Sequence, residues 1–275
     1  MWKLCHIVGH GFVSYGRLIA KGLSYWLDCD IGAFMTDNDH KKEGFQPPER
    51  RFFGRRKGKA FSPRQQGLMD TLLPRISVKI PAEENGQIVP SEIFGCDKRE
   101  TWLEIGFGKG EHLAWQAQTN PDIGLIGCEP YLNGVVGLLN HINENDIDNI
   151  RVYGDDARHV IWALPDASVD RIFLIHPDPW PKKKHARRRF VNPWNLDDLA
   201  RILKDGGEFR VGTDHPVYRE WTALQMSQRD DFEWMAESPE DWLVRPDDWP
   251  ETRYEVKAIE GKATYFRFCR LPRSK

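Results

Sequence analysis

Between Thr101 and about Thr213, short apolar runs, partly β-branched, alternate with stretches whose apolar positions recur at helical spacing. This is the pattern of successive βαβ units. The runs predict strands at Trp102–Gly106, Gly124–Cys128, Ile150–Tyr153, Arg171–Ile175 and Glu208–Gly212. Helices are predicted at Glu111–Thr119, Leu132–Glu144, Ala157–Leu164, Pro193–Leu203 and His215–Ser227. Five alternations in about 125 residues call for parallel strands joined by right-handed crossovers, and so for a doubly wound, mostly parallel α/β sheet. Gly206-Gly207 is expected to close the preceding helix at Lys204 and reset the chain for the fifth strand. In the tail, Tyr254-Glu255-Val256-Lys257 and Ala263–Leu271 alternate well enough for an antiparallel C-terminal hairpin turning near Gly261.

The flanking segments read differently. Residues 36–62 are polar, basic and punctuated by Gly and Pro, as in a mobile arm. Residues 237–252 place Pro239, Pro246, Pro250, Trp242 and Trp249 among acids, which suits an ordered but irregular excursion. Residues 1–62 are therefore read as a flexible, partly basic extension and residues 63–275 as one domain. Residues 1–34 show no evident periodicity, and glycines, His6, His10 and Arg17 interrupt any secretory apolar core. They are expected to be upstream sequence or a translated leader.

With 275 residues, 40% hydrophobic and 29% charged, and a mean hydropathy of −0.59, the chain reads as a soluble globular protein. No apolar run approaches the roughly 20 residues that span a bilayer. The five cysteines, Cys5, Cys29, Cys96, Cys128 and Cys269, form no C-x-x-C pair, so neither a disulfide framework nor a zinc site is expected, and the setting is read as cytoplasmic.

Charge changes the picture more. The 39 basic and 41 acidic residues leave a net charge of −2, which alone argues against a polyanionic partner. The distribution argues for one. Arg50, Arg51, Arg55, Arg56, Lys57, Lys59 and Arg64 fall in fifteen residues without an acid, and Lys182, Lys183, Lys184, Arg187, Arg188 and Arg189 in eight more.

Candidate chemistry sits at the strand ends. The first strand runs into Gly106-Phe-Gly108-Lys-Gly110, where the glycines let backbone approach a ligand. The second ends at Glu129, 23 residues after Gly106, placed to accept both hydroxyls of a ribose. The third ends in Asp155-Asp156, either of which could meet an adenine amino group or simply cap the next helix. The fourth ends in Pro177-Asp178-Pro179-Trp180-Pro181 and the second basic block, combining a carboxylate, a stacking plane and phosphate-binding charge in one loop. The fifth ends at Asp214, again either a site carboxylate or a helix cap.

At these residues the sequence resembles the bacterial tRNA (guanine-N7-)-methyltransferase family, whose members are Rossmann-like and transfer a methyl group from S-adenosyl-L-methionine to guanine 46 of the tRNA variable loop. The likeness covers about residues 50 to 271. It rests on L-E-I-G-F-G-K-G at 103–110, P-D-P-W-P-K-K-K-H-A-R-R-R at 177–189, G-T-D at 212–214 and T-R-Y-E at 252–255. The resemblance implies cofactor contacts from Glu104, Glu129, Asp156 and Asp178 around Gly106 and Gly108, with Asp178 also at the reaction centre. It implies substrate contacts from Lys182, Asp214, Thr252, Arg253, Tyr254 and Glu255. Asp155 beside Asp156 leaves that assignment open by one position.

The residue types suit this chemistry. Guanine N7 carries an unshared pair at neutral pH, so no base need remove a proton, and methylation makes the purine cationic. The site needs in-line positioning and carboxylates near the developing charge, and neither a metal nor a histidine base. Two further enzyme readings are a methyltransferase acting on an exocyclic amine or a protein amide, for which Asp-Pro-Pro-Tyr or Asn-Pro-Pro-Tyr would stand where this chain has Asp178-Pro-Trp-Pro, and a nicotinamide dehydrogenase. A third reading is a non-catalytic RNA-binding protein with a vestigial glycine turn.

Overall fold

The runs of apolar residues become strands of a seven-stranded sheet in a computed structural model that describes residues 52–83, 86–96, 98–257 and 261–273. Arg50, Arg51, Cys5, Cys29, the 1–34 segment and most of the proposed arm lie outside the described residues. The strands are β1 (Thr101–Ile105), β2 (Gly124–Cys128), β3 (Ile150–Tyr153), β4 (Val169–Ile175), β5 (Leu203–Thr213), β6 (Phe232–Trp234) and β7 (Thr264–Arg270). The helices are α1 (Pro63–Thr71), α2 (Leu73–Ile76), α3 (Pro90–Phe94), α4 (Glu111–Thr119), α5 (Leu132–Asn145), α6 (Ala157–Ala163), α7 (Pro193–Ile202), α8 (Pro216–Ser227), α9 (Glu240–Leu243) and α10 (Arg253–Lys257).

The sheet order is β3-β2-β1-β4-β5-β7-β6. Strands β1 to β5 pair in parallel, and β7 pairs antiparallel with both β5 and β6. The order reverses at β1, which lies between β2 and β4, so the chain opens a crevice beyond the carboxyl ends of these strands. Period-two alternation divides the core between the two faces. Trp102, Leu125 and Phe173 pack with Leu113 of α4 and Leu138 of α5. Leu103, Ile126 and Ile172 pack with Val160, Leu199 and Trp221 of α6, α7 and α8.

Two local expectations fail. Gly206-Gly207 does not cap a helix: α7 ends at Ile202 and the chain enters β5 at once, because Leu203 already pairs with Val169. The register shifts between Val169 and Arg171, and Gly206 adopts φ +83° inside the strand. The expected hairpin is also redrawn. Arg253–Lys257 is helical, started by a capping box in which the Glu255 carboxylate accepts from the Thr252 amide at 2.9 Å, while Thr252 Oγ1 accepts from the Glu255 amide at 3.4 Å. The T-R-Y-E motif is thus a helix start, and the antiparallel partners of β7 are β5 and the short β6, which the sequence pattern missed.

The excursion before α10 is held by charge. Arg210, 1% exposed in the middle of β5, donates from Nε to Glu208 at 2.6 Å and from Nη1 to Asp248 at 2.7 Å. Arg171 and Arg267 reach Glu208 from the strands on either side, at 3.6 Å and 3.2 Å. Burial pushes the Glu208 carboxyl upward, but the three arginines outweigh it and hold the group below its ordinary value. Asp248 is thereby pinned to the sheet, which seats its neighbour Trp249 5.5 Å from His112 and 5.4 Å from Tyr265. Arg210→Met is expected to cost about 1.5–3 kcal/mol, because the partly buried Glu208 loses its shortest charged hydrogen bond while Arg171 and Arg267 remain; urea unfolding of the two proteins measures it.

Candidate functional site

A cleft of about 440 Å³ opens at the carboxyl ends of β1, β2 and β4. Its floor is the turn after β1, where Gly106, Gly108 and Gly110 have φ of +72°, +57° and +80°, values that side chains with a Cβ rarely adopt. Glu129 organises this turn: Oε2 accepts from the Gly108 amide at 2.7 Å and Oε1 from the Tyr131 amide at 2.9 Å. Burial raises its pKa, and the two amides partly offset this. A carboxylate has about four acceptor positions, so each oxygen keeps capacity for a ligand hydroxyl.

Glu104, 1% exposed, lines the same cleft, and its Oε2 accepts from His112 Nδ1 at 2.7 Å. Asp156 lines it too, while also capping α6 through the Arg158 amide at 3.1 Å and pairing with the Arg158 guanidinium. The cap reading and the site reading therefore meet in one residue. Asp155 is engaged elsewhere: Arg56 binds it at 2.8 Å and holds its carboxyl below the usual range.

The wall opposite is the loop after β4. His176 and Trp180 have φ of +46° and +41°, backbone strain of about 1–3 kcal/mol each. Arg189, 4% exposed, holds this shape from beneath, donating to the carbonyls of Pro179 and Trp180 at 3.0 Å each while its guanidinium lies 4.6 Å over the Trp221 ring. Asp178 lies open to the cleft, and burial by the cleft walls raises its pKa. His176 Nδ1 lies 3.5 Å from Asp214 Oδ1, and burial pushes the imidazole pKa down against the pull of that carboxylate. The cap of α8 is His215, whose Nδ1 accepts from the Val217 amide at 3.1 Å, so Asp214 is not the cap.

Of the residues singled out in the sequence, Glu104, Gly106, Gly108, Glu129, Asp156, Asp178 and Thr252 share this cleft. Asp214 joins it through His176. Glu255 joins through Thr252, and Arg253 through Glu111 at the start of α4. The side chain of Tyr254 lies outside the described part of the structure. The second basic block divides: Lys182, Lys183, Lys184 and Arg187 are exposed, whereas Arg189 is buried. Arg188 lies 4.9 Å from the Phe53 ring and 4.8 Å from the Trp180 ring.

Three contributors, a pair of phenylalanines, a helical glycine and a histidine, had no local signal. Phe52 and Phe53, expected in a mobile arm, line the cleft, and the chain beside them is docked: the Leu132 amide donates to the Arg56 carbonyl at 2.9 Å and the Gly58 amide to Asn133 Oδ1 at 2.7 Å. Gly134 in α5 packs so closely under the glycine turn that a Cβ there would sit 2.2 Å from the Gly108 carbonyl oxygen. His112 is the third.

A family model described as "Putative methyltransferase" matches residues 98–268. The chain is 52% identical over 224 residues to the tRNA (guanine-N(7)-)-methyltransferase of Zymomonas mobilis subsp. mobilis, an alignment covering 81% of this chain and 95% of that protein. It is 46% identical over 227 residues to the tRNA (guanine-N(7)-)-methyltransferase of Rhodospirillum rubrum, covering 82% and 89%. The chain belongs to the bacterial tRNA (guanine-N7-)-methyltransferase family. Among solved structures, the 16S rRNA methyltransferase KamB aligns with a TM-score of 0.46 at 14% identity, over 71% of this chain and 99% of that one.

For this member of the tRNA (guanine-N7-)-methyltransferase family, the close approach of α5 to the glycine turn is a constraint that can be tested. Gly134→Ala must displace Gly108 and with it the amide held by Glu129. Urea unfolding is expected to show a loss of about 1.5–3 kcal/mol, the equivalent of one hydrogen bond to a charged group, with the helix itself unharmed because Ala is the better helix former.

Proposed function

We propose that the protein transfers the methyl group of S-adenosyl-L-methionine to N7 of guanine 46 in the variable loop of tRNA, in the cytoplasm, with residues 63–275 as the methyltransferase domain and the preceding segment as an extension whose residues 52–55 line the cleft. The observation that carries this reading is the meeting in one cleft of Glu129, clamped on the glycine turn, with Asp178 on the strained loop opposite. The names of the curated relatives supply tRNA and guanine N7; residue chemistry supports the rest.

The donor set fits the cofactor. Glu129 would take the ribose hydroxyls on its remaining lone pairs, Asp156 the adenine amino group, and Glu104 the ammonium of the amino-acid end. When bound, the cofactor supplies an electrophilic sulfonium methyl. The protein's part is positional and electrostatic. N7 needs no deprotonation, so the walls need only hold the base in line and exclude water, while Asp178 opposes the positive charge that the purine acquires. Asp214, oriented by His176, is placed for the donor edge of the guanine. Thr252 and the α10 start, with Arg253, Tyr254 and Glu255, form the substrate-side lip, and Lys182 stands at the entrance to the loop. No step calls for a metal, and among the described residues no group of His, Cys, Asp and Glu is arranged to hold one. Among those residues no helix is long and apolar enough to cross a membrane.

Asp178→Asn is expected to lower the methylation rate by about 10²–10³-fold while S-adenosylhomocysteine affinity stays within about twofold of wild type, less than the loss of one hydrogen bond to a charged group. A carboxyl whose pKa is raised by folding contributes stability below its ordinary pKa and loses it as pH rises through the raised value. At neutral pH the neutral Asn should therefore leave the melting temperature unchanged or higher. In the wild type, activity should fall with acid at a pH above the ordinary Asp value, and the variant should lack that limb. Methyl transfer to unmodified tRNA, followed by nucleoside analysis across a pH series, measures both.

Neutralising Lys183, Lys184 and Arg187, the exposed part of the block, should weaken tRNA binding and reduce the slope of log affinity against log salt by about 2–3 units, at ~0.7–0.9 per phosphate contact. The methylated position should not change, since phosphate contacts carry no base information. Binding across a salt series with mapping of the modified nucleoside reads both outcomes.

A further inference from the structure

Glu104 carries a carboxylate that is 1% exposed and faces the cleft, and no Lys or Arg pairs with it among the described residues. A buried anion of this kind needs a cation, and a ligand ammonium supplies one. What orients the anion is a chain of buried side chains running back to the sheet. His112 Nδ1 lies 2.7 Å from Glu104 Oε2. His112 Nε2 lies 3.2 Å from Gln116 Nε2, and that same amide nitrogen donates to the Asp248 carbonyl at 2.8 Å. The Gln116 carbonyl oxygen accepts from Asn120 Nδ2 at 3.3 Å, which fixes which end of the amide is which. An amide N–H pointing at Nε2 requires that nitrogen to accept, so the imidazole hydrogen sits on Nδ1 and is donated to Glu104. His112 and Gln116 are 3% and 1% exposed, and the Phe173 and Trp249 rings flank the imidazole at 4.7 Å and 5.5 Å. Asp248, the far end, is held by Arg210 at 2.7 Å.

We infer that His112 is a positioning residue for the cofactor site: through a tautomer locked by Gln116, it aims the Glu104 carboxylate at the ammonium of the amino-acid end of S-adenosyl-L-methionine. The inference rests on the cofactor assignment proposed above. Because the chain ends on Asp248, four residues before Thr252, the same relay ties the grip on the cofactor to the segment that carries the substrate-side lip.

The test compares two ligands on the full chain by calorimetry. S-adenosylhomocysteine carries the ammonium and 5′-methylthioadenosine lacks the whole amino-acid end. His112→Phe keeps the ring packing and removes the donor. It is expected to weaken S-adenosylhomocysteine by about tenfold or more, the equivalent of one hydrogen bond to a charged group, while methylthioadenosine affinity and cofactor-free tRNA affinity each change by no more than about twofold. His112→Asn, whose amide nitrogen can take the place of Nδ1, should recover most of the loss. Equal weakening of both ligands, or no weakening of either, overturns the positioning role. Should His112→Phe not fold, Gln116→Leu undergoes the same comparison, and the same outcomes decide. Glu104→Gln separates the two ideas. If it weakens S-adenosylhomocysteine while the His112 variants do not, positioning alone falls; if it binds normally, the cofactor assignment falls and the positioning role with it.

Discussion

A carboxylate at the end of β2 has to find hydrogen-bond donors where water is scarce, and Glu129 finds them in the Gly108 and Tyr131 amides. Most of the cleft follows from that clamp. It ties the turn after β1 to the start of α5, two segments that neighbouring parallel strands bring together, and it holds the glycine turn in left-handed conformations that would otherwise have many alternatives. Gly134 lets α5 come close enough for the clamp to close. The arm adds a second tie to the same helix start through Arg56 and Gly58.

The opposite wall is built on another balance. Two non-glycine residues with positive φ hold the loop after β4 in a shape it would not adopt in isolation, and the energy that maintains it comes from Arg189 bonded to two loop carbonyls over Trp221. Such strain persists only where surrounding packing over-determines it. Here it leaves Asp178 facing the cleft with a raised pKa.

The near-neutral charge of the chain conceals a division of labour. Glu208, Glu104 and Glu129 are committed inside the fold or along its cleft, each with a named partner, and Asp248, though exposed, is tied to Arg210. Arg189 and Arg210 are buried as well, so the net charge says little about the exposed rim, where Lys182–Lys184 and Arg187 stand together. Electrostatic attraction of a polyanion depends on where charge is exposed, not on its sum.

Some of this was readable from residue order, because local rules govern it. The βαβ succession, the glycine turn and the acids at strand ends follow from hydrophobic period and from backbone positions that only small residues tolerate, so Glu129 and Asp178 could be named with no coordinates, whereas Glu104 and the choice of Asp156 over Asp155 came only from the resemblance to the family. Where a residue serves two purposes, order alone did not decide: Asp156 both caps α6 and lines the cleft, and T-R-Y-E is a capping box whose first residue, Thr252, lines the cleft. Alternation over four residues suggested a strand at 254–257, but the cap made it a helix, and β7 instead took partners from β5 and β6. The sorting of the basic block into exposed lysines and a buried Arg189, the relay from Glu104 through His112 to Asp248, and the closeness of Gly134 to Gly108 were decided by tertiary structure alone. Each depends on a partner distant in the chain, such as Trp221 for Arg189 or Asp248 for Gln116. Hydrogen-bond satisfaction and steric contact act through space, and no periodicity along the chain encodes which distant atoms will meet.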